Sequence, residues 1–365
     1  MGPGGTGPGD TSPEDTSPED TSPGDTGSRG GGRSGRLARA FRAVALTVGA
    51  LGVVTAGSAY GWRIVMDAPG PLPEARAVVV QHGSSAQLGR ALAASQVIRE
   101  PLLFRAVAFL TQGRGTLHAA EFAFPRHASL RQVLGILRFG HPVEHHLTIA
   151  EGLTAQQIAG VLQRADALTG SVPSVPEGSI LPQTYDYTYG ADRAGLIARA
   201  QAALDKALAA IWSDRAPDLP LSSPRDALIL ASIVERETAK PDERAHVAAV
   251  YLNRLRLGMR LQADPTVAYA ASGGSGVLDH PLTRSDLELD NPYNTYRNPG
   301  LPPGPICAPG EASLWAVTHP MSSGDLYFVA DGTGGHVFSR TYEAHDSAVV
   351  RWRALQSASP HGRPD

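Results

Sequence analysis

The sequence predicts an α+β protein with three parts: an apolar N-terminal helix, a small β-α-α-β unit and a larger mixed domain. Three observations predict this class. Residues 43–62 carry no charged side chain, residues 77–124 contain short strand and helix patterns, and residues 224–355 contain several helix patterns and a hairpin. The net charge of −3 does not favour a nucleic-acid partner.

The N-terminal region differs in composition from the rest of the chain. Residues 1–28 contain TSPED twice and TSPGD once, and they have no apolar residue after Met1. Such a segment cannot bury enough apolar surface to fold, so residues 1–42 are predicted to be a disordered tail. Arginines at positions 29, 33, 36, 39 and 42 precede the uncharged run. The positive-inside rule then leaves this tail in the cytoplasm and the rest of the chain outside.

Residues 43–62 are predicted to form a single transmembrane helix. Twenty residues at helical rise just cross the hydrocarbon core of a bilayer. Tyr60 and Trp62 suit the far membrane interface. The alternative is a signal peptide cleaved near Gly57 and Ala59, but the long region ahead of the span argues against it.

Two folded parts follow the span. The first covers residues 75–165 and is predicted to contain strands at 77–81, 121–124 and 143–149, with helices at 84–96, 101–110, 129–138 and 154–164. Residues 166–219 form a connecting segment, with a loop at 166–184 and a helix at 192–212. The second folded part covers residues 220–356, and residues 357–365 are a tail.

The stretch ILASIVERET carries two glutamates inside an apolar helix pattern. The helix is predicted to cover residues 224–239, with Ser223 as its N-cap. At 100° per residue, Glu237 projects into the apolar stripe, whereas Glu235 points almost the opposite way. Burial raises the pKa of a carboxyl group, so Glu237 is predicted to donate a proton near neutral pH. The alternative is a structural glutamate paired with Arg244 or Arg254.

Residues after this helix suit a groove for a polymer. A second helix at 242–257 carries Asn253 and Arg254 as candidates for a cleft-facing side. The loop at 290–306 holds polar and aromatic side chains between five prolines, which is typical of a polysaccharide site. The remaining elements are a helix at 309–319, a hairpin of strands at 326–331 and 336–339, and a helix at 342–355.

These stretches resemble the YceG-like family of endolytic murein transglycosylases. The similar segments are ASIVERET, ERAHVAAVYLNRLRLGMRLQADPTVAYA, LTRSDLE, NPYNTYRNPGLPPGPI and LYFVADGTGGHVFSRTYEAH, with weaker similarity in EFAFP, TIAEGLTAQQIA and EGSILPQTY. The resemblance implies a single-pass protein of the cell inner membrane with a LysM-like subdomain ahead of a catalytic domain. One departure is Gln183, where the family often has an acid.

The resemblance also implies a reaction. The second glutamate of the motif, Glu237, would act as both acid and base, cleaving the MurNAc–GlcNAc β-1,4 bond within nascent strands and leaving 1,6-anhydroMurNAc ends. This lyase reaction needs no metal or cofactor. Peptidoglycan strands, the membrane and wall synthases are the implied partners, although the sequence shows no site for the synthases. The candidate substrate-binding residues are Glu235, Asn253, Arg254, Gln262, Asp264, Thr266, Tyr293, Asn294, Tyr296, His336 and Ser339.

Other functions remain as alternatives. A muramidase could use Glu237 with water and a second acid such as Asp264 as base. A non-catalytic wall-binding scaffold could be built around the LysM-like unit. A metal site is not predicted, because the histidines show no HExxH motif and no close ligand spacing.

Overall fold

The computed structural model describes residues 33–358. Residues 1–32, which are predicted to be disordered, and residues 359–365 of the predicted C-terminal tail lie outside the described range. Helix α1, Arg33–Asp67, begins ten residues before the predicted span. Within the described residues, Arg39–Asp67 is the one helix long and apolar enough to cross a membrane. Helix α1 forms one unit and the chain from Pro69 onward forms another.

The second unit starts with the predicted β-α-α-β order. Strands β1 (Arg76–Val79) and β2 (Glu121–Phe124) pair antiparallel, and α2 (Ser85–Ala94) and α3 (Pro101–Leu110) lie between them in the chain. Ser84 and Gln87 form the predicted capping box of α2. This order is what the sequence predicted, and the likeness to a LysM subdomain stays a prediction.

The next part contains a strand that the sequence did not reveal. Helix α4 (Leu130–Phe139) leads to β3 (Glu144–Thr148), which pairs antiparallel with β4 (Thr184–Thr188). The β4 sequence TYDYT follows a segment interpreted as loop, and it becomes a strand through this long-range pairing. Helices α5 (Ala155–Gln163) and α6 (Arg193–Ser213) cover the pair, and Leu147, Ile149, Ile158, Leu162, Tyr185, Leu196 and Ile197 belong to one buried cluster.

Helix α7, Pro224–Glu237, is the centre of the C-terminal half. Every residue from Ala227 to Val234 is buried, because α6, α8 (Arg244–Arg256), α9 (Asp264–Ala271) and α11 (Glu311–Thr318) all contact this helix. Strands β5 (Tyr327–Ala330) and β6 (His336–Ser339) form the predicted hairpin. Helix α12 (Tyr342–Ala358) packs on that hairpin, and α10 (Arg284–Leu287) contacts α9.

The proline-rich loop before α11 is fixed by hydrogen bonds to two helices. The hydroxyl of Ser232 on α7 accepts a hydrogen bond from Ile306 N at 3.0 Å. Near the start of α9, Ala263 N donates to Thr295 Oγ1 at 2.9 Å. Asn294 is fully buried, and its amide donates to the carbonyls of Leu287 and Leu289. The loop therefore has a defined conformation without any helix or strand of its own.

Candidate active site

Glu237 is the last residue of α7. The helix ends there because Thr238 takes an extended conformation, with φ −137° and ψ 132°, two residues earlier than the sequence predicted. The Oε2 atom of Glu237 is buried and has no hydrogen-bond partner among the described residues. The carboxyl group does accept a hydrogen bond from the Tyr251 hydroxyl. One oxygen of this group is therefore left without the solvation that a carboxylate needs.

The surroundings of Glu237 favour its neutral form. Burial raises the pKa of Glu237 from 4.5 to about 7, and the negative charge of Asp264 acts in the same direction. The hydrogen bond from Tyr251 and the positive charge of Arg254 oppose this shift. A carboxyl group with a pKa near 7 can both donate and accept a proton at neutral pH.

Helix α8 supplies the two opposing groups. Tyr251 and Arg254 lie three residues apart and therefore face the same side of this helix. Tyr251 is buried, with its ring edge against Phe328 at 5.7 Å between centroids. The Arg254 guanidinium donates from Nε to Leu326 O at 2.7 Å and from Nη1 to Leu261 O at 2.5 Å. These bonds fix a positive charge near Glu237.

Asp264 and Tyr296 form a hydrogen-bonded pair that interacts electrostatically with Glu237. The Tyr296 hydroxyl donates to Asp264 Oδ1 at 2.5 Å, and its backbone N donates to Asn294 Oδ1 at 3.0 Å. Burial and the neighbouring Asp264 carboxylate raise the pKa of Tyr296, and the Glu237 charge adds to this. Asp264 itself is solvent-exposed. The buried carboxyl group of Glu237 thus interacts electrostatically with a solvent-exposed acid.

Glu235, predicted to point away from the apolar stripe that holds Glu237, is nevertheless covered by other elements. Its side chain is only 5% exposed, because α7 is surrounded by other elements on all sides and not on one stripe. Gly310 N donates to Glu235 Oε2 at 3.0 Å, and Arg244 Nη2 lies 3.5 Å from Oε1. The structural pairing considered for Glu237 with Arg244 therefore belongs to Glu235.

Several other predicted binding residues make structural contacts. The Asn253 amide donates to Ser323 O and Asp325 O, and the Thr266 hydroxyl donates to Ala263 O. His336 hydrogen-bonds Glu243 through Nδ1 at 2.7 Å. Ser339 is buried in β6 opposite Tyr327, Tyr293 packs its ring against Tyr269, and Gln262 is exposed with φ 52°.

The structure therefore brings together part of the predicted set. Glu237, Arg254, Asp264 and Tyr296 interact electrostatically with one another. Tyr251 belongs to the same group, although sequence reasoning did not select it. The available signal was its place in the YLNR segment, which belongs to the stretches that resemble the family.

A second aromatic contact lies beyond Arg254. Its guanidinium carbon lies 5.3 Å from the centroid of the Tyr327 ring, and His345 stacks on that ring at 5.2 Å. Burial and the charge of Arg254 lower the pKa of His345. Neither Tyr327 nor His345 was selected from the sequence. Within residues 33–358, no group of three or more His, Cys, Asp or Glu side chains is arranged to hold a metal ion.

The site combines one carboxyl group of raised pKa with a tyrosine donor, a fixed arginine and an exposed second acid. This arrangement is suited to acid–base chemistry on a polar ligand. The chain belongs to the YceG-like family, whose model matches residues 78–351.

Curated relatives carry a common name. The chain is 42% identical over 125 residues to the endolytic murein transglycosylase of Bacillus subtilis, a match that covers 34% of each protein. It is 29% identical over 351 residues to the endolytic murein transglycosylase of Streptococcus pneumoniae D39, covering 82% of this chain and 63% of that protein. The matches thus span less than two thirds of these relatives. A crystal structure of a YceG-like protein of Listeria monocytogenes aligns with a TM-score of 0.49 and 28% identity, over 75% of this chain and 98% of that one.

Proposed function

We propose that the protein is a membrane-anchored endolytic lytic transglycosylase that cleaves the MurNAc–GlcNAc β-1,4 bond within nascent peptidoglycan strands. The observation that carries this proposal is the Glu237 carboxyl group, whose pKa is raised to about 7 by burial. The names of the relatives from Bacillus subtilis and Streptococcus pneumoniae give the substrate class. Strand cleavage of this kind would limit the length of the glycan.

The proposed chemistry uses the one carboxyl group twice. Protonated Glu237 donates its proton to the glycosidic oxygen as the bond from C1 of MurNAc to that oxygen breaks. The resulting carboxylate then removes the proton from the C6 hydroxyl of the same sugar, and the C6 oxygen bonds to C1. The products are a free GlcNAc hydroxyl and a 1,6-anhydroMurNAc end, and Glu237 is protonated again. Arg254, fixed by two carbonyls, would stabilise the intermediate carboxylate.

The proposed topology follows from α1. Its segment Arg39–Asp67 would cross the inner membrane once, with the residues before it in the cytoplasm and those from Pro69 outside. This arrangement would place the site on the side of the membrane where glycan strands grow. A wall synthase as a partner is an expectation from the family alone.

A muramidase is the second candidate, because Asp264 lies close enough to Glu237 to raise its pKa. In that reaction Asp264 would activate a water molecule, and the product would carry a reducing end. The Tyr296 hydroxyl already donates a hydrogen bond to Asp264 Oδ1 at 2.5 Å, so this oxygen is occupied by a protein donor and not by a water molecule.

The decisive experiment digests nascent glycan strands with the full chain and identifies the new ends by mass spectrometry. We expect 1,6-anhydroMurNAc ends with the wild type and no cleavage with Glu237→Gln. Glu235→Gln should retain more activity, because the Glu235 carboxylate is paired with Arg244 and Gly310 N. Reducing ends would replace the proposal with the muramidase. Absence of cleavage by both wild type and Glu237→Gln would favour a binding scaffold, and equal cleavage by both would show that Glu237 is not the catalytic acid.

A further inference from the structure

Helix α3 has an apolar surface that nothing in the described residues covers. Its buried side is formed by Phe104, Val107 and Ala108. On the opposite side, Leu102 is 74%, Phe109 67% and Leu110 69% exposed, and Leu103 and Ala106 are exposed as well. At 100° per residue these five residues occupy an arc of about 120° on one face of the helix. We call this face the α3 apolar face.

An exposed face of this kind is unusual in a helix that already contributes to a core. The ten residues PLLFRAVAFL contain a single charged side chain, Arg105, and they form the one shorter apolar helix found among the described residues. A helix that is apolar all round needs an apolar environment on both sides. Phe139, 70% exposed at the end of α4, extends the surface, since its ring lies beside Gly115 in the turn after α3. Contiguous exposed apolar surface marks a binding face.

The charges around the α3 apolar face are mostly positive. Arg99 precedes the helix, Arg105 lies on its flank and Arg114 follows it, and all three are exposed. Glu100 is the single acid between positions 99 and 114. Apolar side chains with arginines at their edge are the pattern of helices that lie in the interface of an anionic membrane.

The covalent chain keeps this part of the protein close to the end of the proposed anchor. Helix α1 ends at Asp67, and Gly70 already donates a hydrogen bond to His127 O at 3.1 Å. Leu72 is buried, and its carbonyl accepts from His127 N at 2.8 Å. Only Ala68 and Pro69 therefore separate α1 from the first of these contacts, and three peptide steps reach at most about 11 Å.

We propose that the α3 apolar face inserts into the outer leaflet of the membrane, with anionic phospholipid headgroups bound by Arg99, Arg105 and Arg114. This proposal rests on the bilayer-spanning role given to α1 under the proposed function. The α3 apolar face would then be a second membrane contact in addition to α1. The ligand class is therefore an anionic lipid surface.

The test measures the depth of one side chain in the membrane. Full-length Phe109→Cys carries a nitroxide label and is reconstituted into vesicles of phosphatidylglycerol and phosphatidylethanolamine. Collision rates with oxygen, which partitions into lipid, and with a nickel chelate, which stays in water, are then compared. Leu257→Cys, 63% exposed at the end of α8, is the matched control, and wild type reports background labelling of the buried Cys307.

We expect an oxygen-to-nickel ratio several-fold higher at position 109 than at position 257, and a similar ratio for Ala106→Cys. Equal ratios at 109 and 257 would overturn the proposal, because the face would then be in water. Low collision rates with both reagents would overturn it in favour of a protein contact, such as a second copy of this chain. An unchanged ratio in vesicles of phosphatidylcholine alone, which carry no net charge, would overturn the proposed binding of anionic headgroups by the arginines.

This readout does not depend on glycan cleavage. A chain that cleaves glycan but shows equal ratios disproves the membrane contact alone, and a chain with the expected ratios but no cleavage disproves the transglycosylase alone. Failure of α1 to remain in the vesicles after alkaline extraction would overturn both the anchor and the contact.

Discussion

Glu237 retains its proton near neutral pH at a cost to the folded state. Its pKa is raised on folding from 4.5 to about 7, so the folded chain binds a proton that the unfolded chain releases between these values. The contribution of this group to folding stability therefore falls as pH rises through that interval and is constant above it. The ionised form of Glu237 is thus destabilised by its surroundings, as is common for catalytic groups.

This cost predicts a pH-dependent gain for Glu237→Gln. Relative to wild type, the variant should become more stable by up to ~3 kcal/mol as pH rises from 4.5 to 8, because glutamine has no proton to lose. The measurement is the free energy of urea unfolding at several pH values. Glu288→Gln, at an exposed side chain paired with Arg284, is the control for the loss of a carboxylate at the surface. A flat difference for Glu237→Gln would show that its carboxyl group is well solvated.

The neighbours of Glu237 should shift the pH dependence of cleavage in opposite directions. Tyr251→Phe removes a hydrogen bond that lowers the pKa of Glu237, so the loss of activity at alkaline pH should move to higher pH. Asp264→Asn removes a negative charge that raises this pKa, so the same limb should move to lower pH. Profiles of kcat/KM against pH measure both. Shifts in the same direction would contradict the assignment of Glu237 as the titrating acid.

Sequence periodicity placed Glu237 among apolar side chains, and its Oε2 atom is indeed buried. Periodicity did not predict the burial of Glu235, because a helical wheel assumes solvent on one face of the helix. The partners of Glu235, Gly310 and Arg244, come from other parts of the chain. Tyr251 escaped notice for the same reason, since its hydroxyl meets Glu237 only after α7 and α8 pack together. Side-chain roles that depend on distant partners cannot be read from local spacing.

Helix α7 could be predicted almost completely from its sequence. Ser223 and Asp226 form the capping box, Pro224 occupies the first turn, and the apolar run fixes the helix type. Strand β4 was not predicted, although its sequence TYDYT alternates tyrosine with polar residues, because the run is short and its pairing partner β3 lies about 40 residues away in the chain. Local signals are strong for helices and weak for isolated strand pairs.

The attachment of the proline-rich loop to α7 gives a prediction for one hydroxyl group. Ser232→Ala removes the acceptor of the buried Ile306 N–H, which should destabilise the fold by about 1–3 kcal/mol. Ser313→Ala is the matched control, because its hydroxyl is buried without a hydrogen-bond partner among the described residues. Urea unfolding should show a loss for the first variant and little change or a gain for the second. Equal losses would mean that side-chain volume, and not the hydrogen bond, matters at position 232.

Two of the buried clusters in the chain from Pro69 onward share one helix. Helix α6 contributes Leu196, Ile197 and Ala200 to the cluster around β3 and β4, and Leu204 to the cluster around α7. Backbone hydrogen bonds also join the two regions, with Gly152 N donating to Ala308 O and Ala308 N to Leu153 O. The segment predicted as a connection at 166–219 is thus part of both cores.

This shared helix predicts that the two regions unfold together. Far-UV circular dichroism and the fluorescence of Trp212 and Trp315 should give the same urea midpoint, because neither cluster keeps its packing when α6 is lost. Leu204→Ala should lower both signals' midpoints equally. Two separated midpoints would show that the boundary predicted near Pro220 is a true domain boundary.

The position of Glu237 at the C-terminal end of α7 has a further consequence. The aligned peptide dipoles of a helix leave a partial negative charge at that end, and a carboxylate there is repelled by the backbone itself. The proton affinity of the site is therefore supplied partly by peptide groups that no side-chain substitution removes, and a variant without Asp264 would still hold its proton more tightly than a glutamate in water.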